Sequence, residues 1–349
     1  MKKSSTIRDV AKAAGVSLGT ASQALNDKPG VSLETMKKVK EAAEAINYIP
    51  SITAKQFRDK KSNIISMHIV VSDEGEIHPS TWAFYFPIIK GFTNKLSKNN
   101  YKLHLEFNTI QDISEKDTLL KYIRGYNIQG AAFIIAANGD YSGLLRFKEY
   151  SIPIVTIYTK VYNSISSIFI DNNNAAFNVV TWLRRLGHEK IAFIGGPSSD
   201  FAAVERKNGY LKGMKGNRSV YTIDGTWDIE SGNRILKKIL SDGFMPTAIF
   251  CANDHMAMGV LNACRDLRIK IPDTISLIGF DDNIICQVSD PQLTSVRMPL
   301  FELAEEAAKA LIIDLDVKKP EPQHTLLPAQ LIVRNSVISL SHNKNQLSE

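Results

Sequence analysis

The chain has 349 residues, 44% hydrophobic and 22% charged, an ordinary globular composition for two or three domains. Its net charge of +6 is concentrated in residues 1–61, which carry 12 Lys/Arg against 6 Asp/Glu, while the remainder balances at 30 of each. No apolar run reaches the ~18 residues of a spanning helix, and the basic start MKKSST lacks a signal peptide's apolar segment. Cys251, Cys264 and Cys286 fit no disulfide framework and no metal or redox spacing. The expectation is a cytoplasmic protein with no cofactor, no metal and no membrane partner, whose basic N-terminal module meets a polyanion.

The first elements lie in residues 6–26, TIRDVAKAAGVSLGTASQALN. Thr6 can cap a helix, with Asp9 completing a capping box, and Ile7, Val10, Ala11 and Ala14 follow at helical spacing. Gly15 stands where a helix end wants positive φ. Ser17 caps a second helix over 18–25, with Ala21, Ala24 and Leu25 facing inward and Val16 filling the gap. Two such helices joined by a short link are helix-turn-helix chemistry. Ser32 caps a third helix with the stripe Val39, Ala42, Ala43 and Ile46. Any small three-helix domain would share these caps and stripes. The basic bias and the outward polar set Thr20, Ser22, Gln23 and Asn26 favour DNA.

Here the chain resembles the lactose-repressor/galactose-repressor family of bacterial transcription regulators. TIRDVAKAAGVSLGTASQALNDKPGVS is similar to that family's headpiece and NYIPSITAKQF to its hinge. LRRLGHEKIAFIGGP, ERKNGY, TAIFCANDHMAMGVL, IPDTISLIGFDD and DPQLTSVRMP continue the likeness in order, over about residues 5–338. The resemblance implies a headpiece over 1–49 that touches DNA through Thr6, Ser17, Leu18, Gly19, Thr20, Ser22, Gln23, Asn26, Ser32 and Tyr48. It implies a hinge over 50–61 that does so through Ala54, Lys55 and Phe57. Pro50 stops the third helix, and Ser51 can cap a short one to about Arg58, too short to hold alone. In the family that helix folds when two copies meet in the minor groove. Lys2, Lys3, Lys12, Lys37, Lys38, Lys55 and Lys61 are candidates for phosphate contacts.

From residue 64 strand-like and helix-like runs alternate: IISMHIVV, then FYFPIIKGFTNKLSKN, YKLHLEF, DTLLKYIRGY, GAAFIIA and IPIVTIY. A second series begins near 165 with SSIFID and continues through KIAFIGG, VYTID, AIFCA and ISLIGF, separated by helices over 174–186, 203–215, 230–241 and 255–267. Repeated β-α units with Ile/Val-rich strands predict parallel sheets. The expected fold is a small all-α helix-turn-helix headpiece followed by an α/β core, over 62–340, of two doubly wound lobes of periplasmic-binding-protein type. The N-lobe is expected over 62–162 and 292–324, the C-lobe over 163–291 and 325–340, and a tail over 341–349.

Ligands of open α/β sheets sit at the carboxyl ends of strands. That rule selects Tyr158, Arg206, Asn253, Asp254 and the pair Asp281–Asp282, with Phe84, Tyr85 and Trp227 available to stack on a ligand. Helix capping would equally explain the Asn253–Asp254 and Asp281–Asp282 pairs. The resemblance favours Arg206, Trp227, Asn253 and Asp281 as effector contacts. IGGPSSD is neither GxGxxG nor a Walker loop, and no nucleophile or metal set accompanies the acidic pair, so no enzyme is expected.

Three positions depart from the family pattern. Gln23 replaces a common Arg in the recognition helix, Phe57 replaces the leucine of the hinge, and Tyr158-Thr159 replaces an acidic residue followed by a basic one. Gln favours adenine where Arg favours guanine, and phenylalanine is an accepted minor-groove wedge. Loss of the acidic residue weakens the case for a plain sugar. The expected function is a repressor that binds a pseudo-palindromic operator as a homodimer under control of a small-molecule effector, most simply a sugar or sugar derivative. A nucleobase, a nucleoside or a protein corepressor stays open. The tail SHNKNQLSE has no heptad run, so a dimer is expected rather than a tetramer.

Overall fold

A computed structural model of the chain describes residues 6–25, 29–46, 48, 62–71, 82–115, 118–317 and 320–340. Asn26, Ala54, Lys55, Phe57, the hinge helix over 51–58, Lys2, Lys3, Lys61 and the tail over 341–349 lie outside the described residues. The chain divides into two compact units, Met1–Ser62 and Asn63–Glu349.

The first unit holds three helices: α1 (Ile7–Ala14), α2 (Leu18–Ala24) and α3 (Leu33–Ala45). Each begins at a hydroxyl residue. The Thr6 backbone N–H and hydroxyl both donate to the Asp9 carboxylate, at 2.8 and 2.7 Å. Ser17 Oγ accepts from the Thr20 N–H at 3.1 Å, and Ser32 Oγ from the Thr35 N–H at 3.2 Å. Gly15 closes α1 at φ 63°, a conformation costly for any residue with a Cβ, and this sharp reversal sets the angle between α1 and α2. Val10, Ala11, Ala14, Ala21, Ala24, Val39 and Ala43 form the core. Alanine dominates it, so the three backbones approach closely.

The second unit contains two six-stranded sheets. In chain order its elements begin with β1 (Ile64–Val71), α4 (Trp82–Lys98), β2 (Lys102–Thr109), α5 (Ile110–Ser114) and α6 (Thr118–Gly125). Next come β3 (Gly130–Ile135), α7 (Leu145–Glu149), β4 (Ile154–Tyr158), β5 (Ser166–Ile170), α8 (Asn172–Arg185), β6 (Ile191–Gly195) and α9 (Phe201–Gly213). They continue with β7 (Val220–Asp224), α10 (Ile229–Ser241), β8 (Ala248–Cys251), α11 (Asp254–Asp266), β9 (Ser276–Asp281) and α12 (Ile285–Val288). Last are β10 (Thr294–Arg297), α13 (Leu300–Asp316), β11 (His324–Leu327) and β12 (Gln330–Ile332).

One sheet runs β11-β5-β4-β3-β1-β2 and the other β12-β10-β9-β8-β6-β7. Every pairing is parallel except β10 with β12. The inner strands β3, β6 and β8 are buried along their whole length, as helices on both faces require. The edge strands β2 and β7 are partly exposed and more polar.

The lobe borders differ from those expected. β5 belongs to the first sheet, through its pairing with β4, and does not open the second lobe. β10 pairs with β9 in the second sheet and does not return to the first lobe. The chain therefore crosses between lobes near residues 171, 298 and 328. Patterning could not locate these points, because a strand's apolar run does not reveal which sheet receives it. Helix α13 was not singled out from sequence. It buries Leu303, Ala304, Ala307, Ala308 and Leu311 in the first lobe against α4, β3, β4 and β5.

Candidate functional site

Two surfaces gather the residues selected from sequence. In the headpiece, Ala21 and Ala24 hold α2 in the core, leaving Leu18, Gly19 and Gln23 exposed and Thr20 and Ser22 half-buried. Ser17 bonds Thr20 through both the backbone N–H and the hydroxyl, so the first turn of α2 is rigid. Thr6, Ser17 and Ser32 all sit at helix N-termini, where backbone N–H groups and the helix dipole favour phosphate oxygens. Tyr48 is half-buried against the headpiece core, and its N–H donates to Ala43 O at 2.8 Å. Lys12, Lys37 and Lys38 are exposed.

In the second unit, Phe84, Tyr85, Tyr158, Arg206, Trp227, Asn253 and Asp281 all line one cavity of about 700 Å³ between the lobes. Tyr158 ends β4 at φ 79°, Trp227 precedes α10 at φ 68°, and Asp281 ends β9 at φ 112°. Bulky residues in this region cost of order 1–3 kcal/mol each, and such strain concentrates where side chains are aimed at a ligand. Gly196 makes Trp227's position possible, because a Cβ there would lie 2.1 Å from the indole ring.

Arg206 is the centre of the site and only 2% exposed. Its Nε donates to Asn172 Oδ1 at 2.9 Å, one terminal nitrogen to Ala252 O at 2.5 Å, and the other to the Tyr158 hydroxyl at 2.9 Å. That last nitrogen also reaches Met298 Sδ at 3.4 Å, and Asp281 Oδ1 lies 3.5 Å from the first. The guanidinium stacks on Phe280, 3.6 Å from the ring centroid. Burial pushes the Asp281 carboxyl up to about 8, opposed by Arg206 and reinforced by Asp254 and Asp200. Asp200 is likewise raised by burial, against the pull of its backbone donors, Arg206 and Trp227.

The two acidic and amide pairs separate into different roles. Asn253 caps α11 by accepting the Met256 N–H at 2.9 Å while donating to Trp227 O at 2.8 Å. It therefore both caps a helix and holds the Trp227 loop. Asp254, a candidate from sequence, does not line the cavity. It is fully buried and accepts from the Ser295 hydroxyl at 2.6 Å and the Asn283 N–H at 2.7 Å, so packing the α11–β10 junction consumes it. Asp282 lines the cavity wall with its carboxylate held by Arg297 and Arg334, each at 2.6 Å. Sequence reasoning missed Asp200, His255, Asn283, Arg297, Met298 and Glu302, which also line the cavity. Asp200 alone carried a legible sign, as an N-cap before the helical run FAAVERKNGY.

The lobes meet beside the cavity. Asn138 N–H donates to Ser199 O at 2.7 Å and Phe201 N–H to Ala136 O at 3.0 Å. Among the described residues, no group of three His, Cys, Asp or Glu side chains could hold a metal ion, and no helix is long and apolar enough to cross a membrane.

A helix-turn-helix unit on the same chain as a two-lobed, ligand-sized cleft defines a DNA-binding regulator with a sensory core. The family model for bacterial regulatory proteins of the lacI family matches residues 6–51, and that for a periplasmic binding protein-like domain matches residues 180–337. The chain is 30% identical over 341 residues to the probable HTH-type transcriptional repressor ExuR of Bacillus subtilis, covering 96% of this chain and 99% of the relative. It is 28% identical over 337 residues to catabolite control protein A of Priestia megaterium, covering 95% and 98%. The fold matches that of the lac repressor dimer bound to operator and the anti-inducer ONPF, with a TM-score of 0.82 at 24% identity, covering 96% of this chain and 100% of that one. A complex of the regulator CelR with cellobiose matches with a TM-score of 0.66 at 24% identity, covering 95% and 99%. The chain belongs to the lacI family of bacterial transcription regulators. It is a DNA-binding regulator and not an enzyme.

Proposed function

We propose that this protein is a repressor that binds a pseudo-palindromic operator as a homodimer and is switched by a small molecule in the cleft. Each α2 lies in the major groove and presents Leu18, Gly19, Thr20, Ser22 and Gln23 to base edges, while Thr6, Ser17, Ser32 and Tyr48 meet the backbone. Asn26 extends the reading face, and Ala54, Lys55 and Phe57 act at the minor groove between half-sites, with Phe57 as the wedge. A two-fold dimer matches a two-fold operator.

The observation that carries the effector half of this reading is the convergence of seven residues on one cavity of about 700 Å³ around a buried arginine. Pockets of roughly 300–1,000 Å³ suit small molecules, and this volume admits a mono- or disaccharide or a derivative of one. Cellobiose, the ligand in the CelR complex, is of that class. The test is a thermal-shift screen of the full chain against sugars, sugar derivatives and nucleosides, followed by operator binding with and without each hit. A hit that changes operator affinity supports the reading. A blank across the library with unchanged operator binding favours a protein corepressor.

A further inference from the structure

The cavity's polar groups are unequally committed. Arginine has five N–H donors, and those of Arg206 are directed at Asn172, Ala252, Asp281, Tyr158 and Met298, all within the protein. Arg297 is held by Asp282, with contacts of 2.7 and 2.6 Å. Two of the helix N-termini that reach the cavity are capped by side chains, whereas the first turn of α13, behind Pro299, has no side-chain cap. Asp200 accepts the Ala202 and Ala203 N–H groups of α9 at 2.8 and 3.2 Å, and Asn253 caps α11. The buried guanidinium and the α9 and α11 N-termini, which normally hold a carboxylate or phosphate, are therefore already engaged.

The acceptors are less engaged. Asp281 opens to the cavity with 23% of its side chain exposed, and its contact with Arg206, at 3.5 Å, is long for a charge-assisted bond. Asp200 accepts the two helix N–H groups on one oxygen, Oδ1, and a further hydrogen bond from the Trp227 side chain. Glu302, in the first turn of α13, lines the same space. The aromatic faces of Phe84 and Trp227 border it too. In the cavity and its wall, among the described residues, the carboxylates Asp200, Asp281, Asp282 and Glu302 face the guanidinium groups of Arg206, Arg297 and Arg334, a surplus of one acid.

We propose that the effector carries a protonated amine, seated by the Asp281 and Asp200 carboxylates between aromatic walls. The proposal rests on the effector reading above and names the ligand class: an amine-bearing sugar or similarly sized polar amine, in preference to a neutral or anionic one. Aromatic faces and carboxylates together are the recognition chemistry of a cation. The amine also explains how two acids tolerate one site. Burial raises both carboxyls, and at Asp281 the neighbouring Asp254 and Asp200 add to it, whereas a neighbouring ammonium favours their charged forms. Binding then releases protons. The groups facing Asp281 are Arg206, Asp200, Asp254, Tyr158, Asp282 with Arg297 and Arg334, His255 and Glu302.

The experiment is calorimetric titration of the full chain with matched sugars: D-glucose, D-glucosamine and D-glucuronate, and the same three forms in the galacto and manno series. An amine member is expected to bind at least about tenfold tighter than its hydroxyl and carboxylate counterparts. Its affinity should rise with pH towards about 8 for as long as the amine stays protonated, with proton release seen as a buffer-dependent heat. Asp281→Asn should weaken the amine by about tenfold or more and leave a hydroxyl counterpart less affected. A carboxylate or hydroxyl member that binds as tightly overturns the amine while leaving the effector reading intact. No heat from any of the nine sugars, with a nucleoside or no small molecule binding instead, overturns the amino-sugar class; no small-molecule binding at all removes the effector reading with it.

Discussion

The Arg206 guanidinium donates to the Tyr158 hydroxyl at 2.9 Å, joining a helix of one lobe to the end of a strand in the other. This bond stands where the family pattern places an acidic group. A phenol cannot accept as a carboxylate does at neutral pH, and burial holds the Tyr158 hydroxyl well above its usual range. The site thus exchanges a charged acceptor for a neutral latch between lobes.

Tyr158→Phe tests the latch. Removing the hydroxyl leaves one buried Arg206 donor without its partner, at a cost of ~1–3 kcal/mol. The core should lose that much stability in urea, and a carboxylate-bearing sugar should gain affinity because an arginine donor is released. Trp82, Trp182 and Trp227 all lie beyond residue 62, so tryptophan fluorescence reports the core without the headpiece. Unchanged stability and unchanged carboxylate affinity would show that the bond contributes nothing.

Gly196→Ala tests the packing of Trp227 near Arg206. The added Cβ would meet the Trp227 ring at 2.1 Å, and the tight turn gives it no room. Overpacking of this kind costs ~1–3 kcal/mol. The ring is expected to swing outward, with a red-shifted Trp227 emission and lost effector binding, while operator binding through the headpiece is retained. Retention of wild-type emission together with wild-type binding would contradict the packing account.

Gln23 is exposed on α2, so its replacement should leave headpiece stability within ~0.5 kcal/mol. Its effect belongs to sequence reading. In vitro site selection should return adenine opposite Gln23 in the wild type and guanine in Gln23→Arg, each contact contributing ~1–3 kcal/mol of discrimination. Guanine recovered with the wild type would sink the assignment.

The headpiece was legible because its signals are local. Thr6, Gly15, Ser17 and Ser32 act through neighbours three or four residues away, and the structure places each at the helix boundary read from sequence. Tyr158, Arg206, Asn253 and Asp281 were legible from the strand-end rule, and the family pattern added weight to Arg206, Trp227, Asn253 and Asp281, whereas Phe84 and Tyr85 were legible only as aromatics able to stack on a ligand. Arg297 and Glu302 were not, since they flank the crossing near residue 298, which depends on which sheet receives β10, while Asp200 showed only its N-cap signature. Asp254 misled for the opposite reason. Its sequence context matches that of Asn253, yet one residue along the start of α11 turns its carboxylate from the cavity into the β10 packing.

One buried titratable side chain, His68, stands outside the cleft lining. His68 lies fully buried in β1, stacked on Phe133 at 4.8 Å, with ring nitrogens 2.7 Å from Asn108 Oδ1 and 2.8 Å from Ser66 Oγ. Burial lowers its pKa from 6.5 to about 4, partly opposed by Asn108 and Glu106. Between those values the unfolded chain binds a proton that the native core refuses, so stability rises with pH. The full contribution is present above about 6.5 and is lost as pH falls towards 4, amounting to ~3 kcal/mol. His188, also lowered by burial, adds the same sign, whereas Asp281, raised by burial, contributes the opposite slope up to about 8. Comparing His68→Gln with the wild type cancels both. Urea unfolding followed by tryptophan fluorescence between pH 4.5 and 6.5 should give a distinctly flatter dependence for the variant, even if it is less stable throughout. Parallel pH profiles would mean that His68 is protonated equally in the folded and unfolded core, and that its partners Asn108 and Ser66 stabilise the imidazolium as well as water does.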